Sequence, residues 1–212
     1  MIANDLKIKL KSIDNLDNAF RTRIHRSISW LKEAELNEQN SDLQFILLWI
    51  GFNASYAIEL GTDETAPERK RLHTFLERIV AIDQERKLFH LIWTTYSGPI
   101  RILIENRFVY KLFWDFQRGM SVHWESEFNK SIERANSLLA KGDVAGVMEI
   151  VLDRLYVLRN QLIHGGSTCG SKVNRKQVQD GCRIMLSILP VILEIMLTDP
   201  YSDWGEIAYP VV

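Results

Sequence analysis

The chain has 212 residues, 46% of them hydrophobic, which is enough for one sizeable core and only loosely suggests a second small domain. Lys and Arg number 26 against 27 Asp and Glu, a net charge of -1, so a bulk basic field is excluded and any nucleic-acid partner must be drawn by a local patch. Two cysteines, Cys169 and Cys182, with no Cys-x-x-Cys, argue against a disulfide framework and against a structural zinc site.

The histidines His25, His73, His90, His123 and His164 are scattered. No His-Glu-x-x-His or paired-aspartate cluster is present, so neither a metal nor a cofactor is expected. The start, Met-Ile-Ala-Asn-Asp-Leu-Lys-Ile-Lys, lacks an apolar run of signal-peptide length. No eighteen uncharged apolar residues follow one another, so no membrane span is expected and a cytoplasmic location is the default reading.

In chain order, residues up to about Asn15 read as a frayed lead-in. Leu16, Phe20, Ile24, Ile28 and Leu31 then mark an amphipathic helix to about Glu35. Its other face carries Arg21, Arg23, His25, Arg26 and Lys32, read either as solvated or as a phosphate-contacting surface. The polar stretch Asn37 to Asp42 is a loop ending in a helix N-cap. A second helix, from Leu43 to Leu60, is apolar on nearly every side and belongs in the middle of the bundle. Asn53 within it needs hydrogen-bond partners: an interhelical bond and a role at a functional site are both open.

Gly61 to Pro67 is a break, with Pro67 suited to open the next helix. One or two helices are expected from Glu68 to Thr95. Ser97-Gly98-Pro99 punctuates the chain before a helix from Ile100 to about Phe116. The Trp114–Trp124 neighbourhood is aromatic, with Gly119 as its turn. Its rings pack an inter-helix corner or, with Arg118 and His123 among them, stack on bases. A charged helix follows from Glu125 to Ala140, then a Lys141-Gly142-Asp143 turn. The last long helix, about Arg175 to Leu197, has Pro190 inside it, expected to kink it, and an irregular tail covers Asp199 to Val212. The pattern is all-α, a single helical-bundle domain over residues 1–212 with its core at about 16–199.

The helix launched by Asp143 carries Val144, Met148, Val151, Leu155, Leu158 and Leu162 at steps of four and three, the stripe of a bundle helix. Arg159, Asn160 and His164 lie at its end, stopped by Gly165-Gly166. At about 100° per residue, Asn160 and His164 share a face and Arg159 flanks it. A permanently charged guanidinium beside an imidazole, the side chain that titrates nearest neutrality, suits phosphate chemistry. The same face carries Ile150, Tyr156, Val157 and, at its edge, Ile163, so it packs on more of its own bundle or on a partner. The plain alternative is that the three residues cap the helix and pair with acids such as Asp153. The following loop, Gly165 to Lys176, is small, polar and basic, and reads equally as an ordinary connection or as a substrate contact through Lys172 and Arg175.

Arg159-Asn160-x-x-x-His164 resembles the Arg-x(4–6)-His motif, commonly with Asn after the Arg, of HEPN domains, the higher eukaryote and prokaryote nucleotide-binding domains. Trp49-Ile-Gly-Phe-Asn53-Ala-Ser-Tyr56 and the continuation from Gly165-Gly166 to Lys172-Val-Asn174-Arg175 look like a stand-alone bacterial branch of that family. The resemblance covers roughly Phe20 to Pro200. It implies a helical bundle that dimerises, with two Arg/His pairs facing one another in a composite site. It also implies a metal-independent endoribonuclease, often a toxin or phage-defence effector with an antitoxin protein. Other members are catalytically silent and bind RNA, a nucleotide or a partner protein. On this reading Arg159, Asn160 and His164 are catalytic, and Asn53, Lys172 and Arg175 touch substrate.

Overall fold

The computed structural model describes residues 1–57, 68–120 and 123–209. Among these, ten α-helices and no strand are found, an all-α bundle. They are α1 (Ile2–Ser12), α2 (Asn18–Leu36), α3 (Ser41–Tyr56), α4 (Glu68–Ile82) and α5 (Lys87–His90), then α6 (Ser97–Ile104), α7 (Lys111–Gln117), α8 (Trp124–Lys141), α9 (Val144–Ile163) and α10 (Arg175–Thr198). A wide turn, Leu91–Thr95, joins α5 to α6. The expectations on Leu60, on the Gly61–Pro67 break and on the end of the tail from Pro210 lie outside the described residues.

The lead-in is a helix, not a frayed end. Ala3, Leu6 and Leu10 fall on one face of α1 and are buried, while Lys7, Lys9 and Lys11 point outward. The Glu35 carboxylate accepts from the backbone N–H groups of Ile2 and Ala3 at 2.8 and 3.3 Å, satisfying two otherwise orphaned donors at the start of α1. The expected helix from Ile100 to Phe116 is broken. Asn106 Oδ1 accepts from Phe108 N–H at 2.9 Å, and this local side-chain bond ends α6 and starts a short turn over Arg107–Val109.

The core is α3 packed on α2 and α10, with α9 closing one side. Phe45, Leu48 and Phe52 of α3 are fully buried. Helix α10 is long and apolar enough to cross a membrane by length and composition, but 67% of that apolar stretch is buried inside the protein.

Arg23, expected on a solvated or phosphate-facing surface, is 1% exposed. Its guanidinium donates to the carbonyls of Ser55, Ala57, Trp204, Gly205 and Glu206 at 2.7 to 3.4 Å. Arg26 donates to Ala208 and Tyr209, and Arg78 covers the Trp204 ring at 3.9 Å. The tail is thus held by arginines that replace the hydrogen bonds its buried carbonyls would otherwise lack.

Candidate functional site

Asp143 caps α9 by accepting from Gly146 N–H at 2.8 Å, and the stripe from Val144 to Leu158 is buried. At the far end Gly166 N–H donates to Gln161 C=O at 2.7 Å and Gly165 N–H to Leu162 C=O at 3.3 Å. Gly165 has φ +68°, the left-handed conformation this double-bonded terminus requires. The two glycines therefore stop the helix at His164, whose N–H bonds back to Asn160 C=O at 3.0 Å and whose side chain is exposed.

Arg159 Nη1 donates to Asn160 Oδ1 at 2.9 Å, and both residues are half-buried. The Arg159 guanidinium carbon stands 5.8 Å from the Tyr156 ring centroid, and its Nε is buried with no hydrogen-bond partner among the described residues. Asn160 orients the guanidinium. The amide thereby holds a cation at the open end of α9, one turn before an exposed imidazole.

The remaining sequence candidates are distributed differently. Arg175 is bound by Asp42, with Nη1 to Oδ1 at 3.1 Å and Nη2 to Oδ2 at 3.0 Å. Gly170 N–H donates to the same carboxylate at 2.7 Å, so the loop after His164 is tied back to the start of α3. Burial raises the Asp42 carboxyl, but the bonds from Arg175 and Gly170 N–H outweigh it and hold it below the usual carboxylate range. Lys172 is exposed on that loop. Asn40, not Asp42, caps α3, accepting from Leu43 N–H at 3.2 Å.

Asn53 is apart from this group. Trp49 of α3 meets Tyr156 at 5.9 Å between ring centroids, while Phe45 and Leu158 converge on Gly181, so α3 and α9 run antiparallel. Asn53 is one turn beyond Trp49 in the direction away from Asn160, a separation of about 12 Å along the axes. Its Oδ1 is buried with no hydrogen-bond partner among the described residues.

The face expected to pack on something is divided. Ile150 is buried in its own bundle, Val157 is half-buried, and Tyr156 and Ile163 remain 41% and 46% exposed. Sequence reasoning passed over Arg154, which is 4% exposed and lies 4.5 Å over the Tyr110 ring. It donates to Ser131 Oγ at 2.9 Å and lines a cavity of about 610 Å³ with Lys111, Lys130, Arg134, Asp153 and Tyr156. A basic residue at the centre of an otherwise apolar helix face was the signal available. Gln161 was also missed: its Nε2 donates to Phe108 C=O at 2.6 Å and anchors the α6–α7 connection beside His164.

Both cysteines are free thiols. Cys182 donates to Ser41 C=O at 3.2 Å, and burial pushes its thiol up to about 12. Among the described residues no group of three or more His, Cys, Asp or Glu is placed to hold a metal ion. Comparison with protein-family models, with curated proteins and with solved structures finds no match to this chain.

Proposed function

We propose that this chain is a metal-independent endoribonuclease of the HEPN type, acting in the cytoplasm as a homodimer with a composite site. The observation that carries the reading is the Arg159–Asn160 pair, 2.9 Å apart at the glycine-terminated end of α9, with the exposed His164 one turn further on.

RNA supplies its own nucleophile. The 2′-hydroxyl attacks the adjacent phosphorus, the bond from phosphorus to the 5′-oxygen breaks, and a 2′,3′-cyclic phosphate is left. One imidazole takes the 2′-hydroxyl proton and another delivers a proton to the departing 5′-oxygen. His164 of one copy and His164 of a second copy fill these two roles, which makes pairing of subunits mechanistically useful. Arg159 faces the charge that develops on the phosphorane oxygens, and Asn160 is the positioning residue that aims it. The exposed Tyr156 and Ile163 beside the motif are apolar surface suited to a second copy.

Incubation of the purified protein with mixed RNAs in EDTA tests the reading, with His164→Ala in parallel. An RNase gives cyclic-phosphate ends with the unaltered protein and none with the variant. Intact RNA in both identifies instead a silent module that binds RNA, a nucleotide or a partner protein, the competing reading of this motif.

A further inference from the structure

Next to the Arg159/His164 end of α9, the connection from α6 to α8 turns an unusual amount of aromatic surface outward. Phe108, Trp114 and Phe116 are 42%, 36% and 43% exposed. They are held in place: the Phe108 carbonyl accepts from Trp114 Nε1 at 2.8 Å and from Gln161 Nε2 at 2.6 Å. Gln161 is three residues before His164, hence a neighbour on the same side of α9. Phe108 also packs edge-on against Phe113 at 5.5 Å.

Beside these rings is a cleft of about 570 Å³ lined by Arg107, Phe113, Phe116, His123, Trp124 and Glu125. Arg107 brings an exposed cation to this surface, its guanidinium carbon 5.2 Å from the Phe108 ring centroid. Lys111 and Arg118 are exposed as well, each paired with the buried Asp115 at 2.6 and 2.7 Å. Glu105, Glu125 and Glu127 are exposed carboxylates on the same stretch of chain.

We propose that this surface is a stacking platform for unpaired bases, so that the substrate class is single-stranded RNA. The proposal rests on the ribonuclease reading above and deepens it. Bases stack on Phe108 and Phe116, one of them entering the cleft, while Arg107 faces a phosphate. A paired strand keeps its bases stacked inside the duplex and cannot use the rings.

The test uses full-length His164→Ala protein, which leaves RNA uncut, titrated with a fluorescein-labelled mixed-sequence RNA as a single strand and as a duplex. The single strand is expected to bind at least about tenfold more tightly than the duplex. Phe108→Leu with Phe116→Leu is expected to weaken single-strand binding by roughly tenfold or more, with unchanged circular dichroism, since stacking on one ring contributes about that much per base. Phe108→Tyr with Phe116→Tyr keeps the π-faces and is expected to retain affinity, which separates ring loss from a folding defect.

Equal affinity of the leucine pair and its parent overturns the platform while leaving the ribonuclease reading to stand on cleavage. Altered sedimentation of the leucine pair with unchanged RNA affinity assigns the surface to a second copy and also overturns it. No RNA bound by any form, together with no cleavage by the unaltered protein, removes the ribonuclease reading itself.

Discussion

Arg175 closes on Asp42 through two parallel bonds of 3.1 and 3.0 Å, joining the first turn of α10 to the first turn of α3 across 133 residues of chain. Asp42 is held below the usual carboxylate range, so its contribution to stability is present above that range. It is lost as pH falls through the depressed value. Asp42→Asn is expected to cost about 1–2 kcal/mol at neutral pH, from loss of charge-assisted bonds. Its melting temperature should fall less steeply below about pH 4 than that of the unaltered protein. Thermal denaturation between pH 3 and 7 checks both. Coincident curves for the two proteins would show that the pair contributes nothing.

At Gly181 of α10, side chains of both α3 and α9 press close to the backbone. A Cβ there would stand 2.9 Å from Phe45 Cε2 and 3.1 Å from Leu158 Cδ2. Alanine gains about 1 kcal/mol of helix propensity over glycine, but overpacking a core costs about 1–3 kcal/mol. Gly181→Ala is therefore expected to lower the denaturant midpoint despite its better helix-forming residue. Shortening the ring in a Phe45→Leu background should recover part of the loss from Gly181→Ala, measured by the same unfolding curve.

Arg23 has five carbonyl acceptors and 1% exposure, so its replacement takes the donor from two buried and three part-buried carbonyls. Burial pushes its guanidinium down from its ordinary value, yet an arginine stays charged. Arg23→Ala is expected to cost at least about 3 kcal/mol. Arg23→Lys should be nearly as damaging, because an ammonium lacks the planar fork. Hydrogen exchange over residues 204–209 should rise sharply in both variants.

Much of this arrangement was legible in the sequence. The stripes of α2, α9 and α10, the Gly165-Gly166 stop and the central place of α3 follow from apolar spacing and glycine chemistry, which are local properties. Asn106 shows where local reading failed, since a side-chain-to-backbone bond interrupted an otherwise continuous apolar pattern. The arginines failed for another reason. Arg23 sits among charged neighbours and looks solvated, but its acceptors come from residues 204–206, about 180 positions away in the chain. Arg175 likewise looked available to substrate because Asp42, its partner, is remote in sequence. The placing of Arg159, Asn160 and His164 at one helix end is legible because it depends only on local spacing and the glycine stop. Asn53, on another helix, was grouped with them by resemblance and lies about two turns away.

Under the proposed ribonuclease reading, the bond between Arg159 and Asn160 predicts different kinetic signatures for the two residues. Arg159→Ala is expected to lower kcat by about 10²–10³-fold, as removal of one transition-state charge donor does. Arg159→Lys should recover part of that loss by restoring the charge without the fork. Asn160→Ala should cost about tenfold in kcat with KM little altered, because the guanidinium remains but is no longer aimed. Single-turnover cleavage of a labelled RNA separates these terms. Equal losses for Asn160→Ala and Arg159→Ala, with unfolding by circular dichroism, would mark the pair as structural.

The most direct measurement is cleavage of mixed RNAs by the purified chain in EDTA, with and without His164→Ala. The expected result is 2′,3′-cyclic phosphate ends from the unaltered protein and intact RNA from the variant, at equal helix content. RNA left intact by both, or cut equally by both, would contradict a catalytic role for the end of α9.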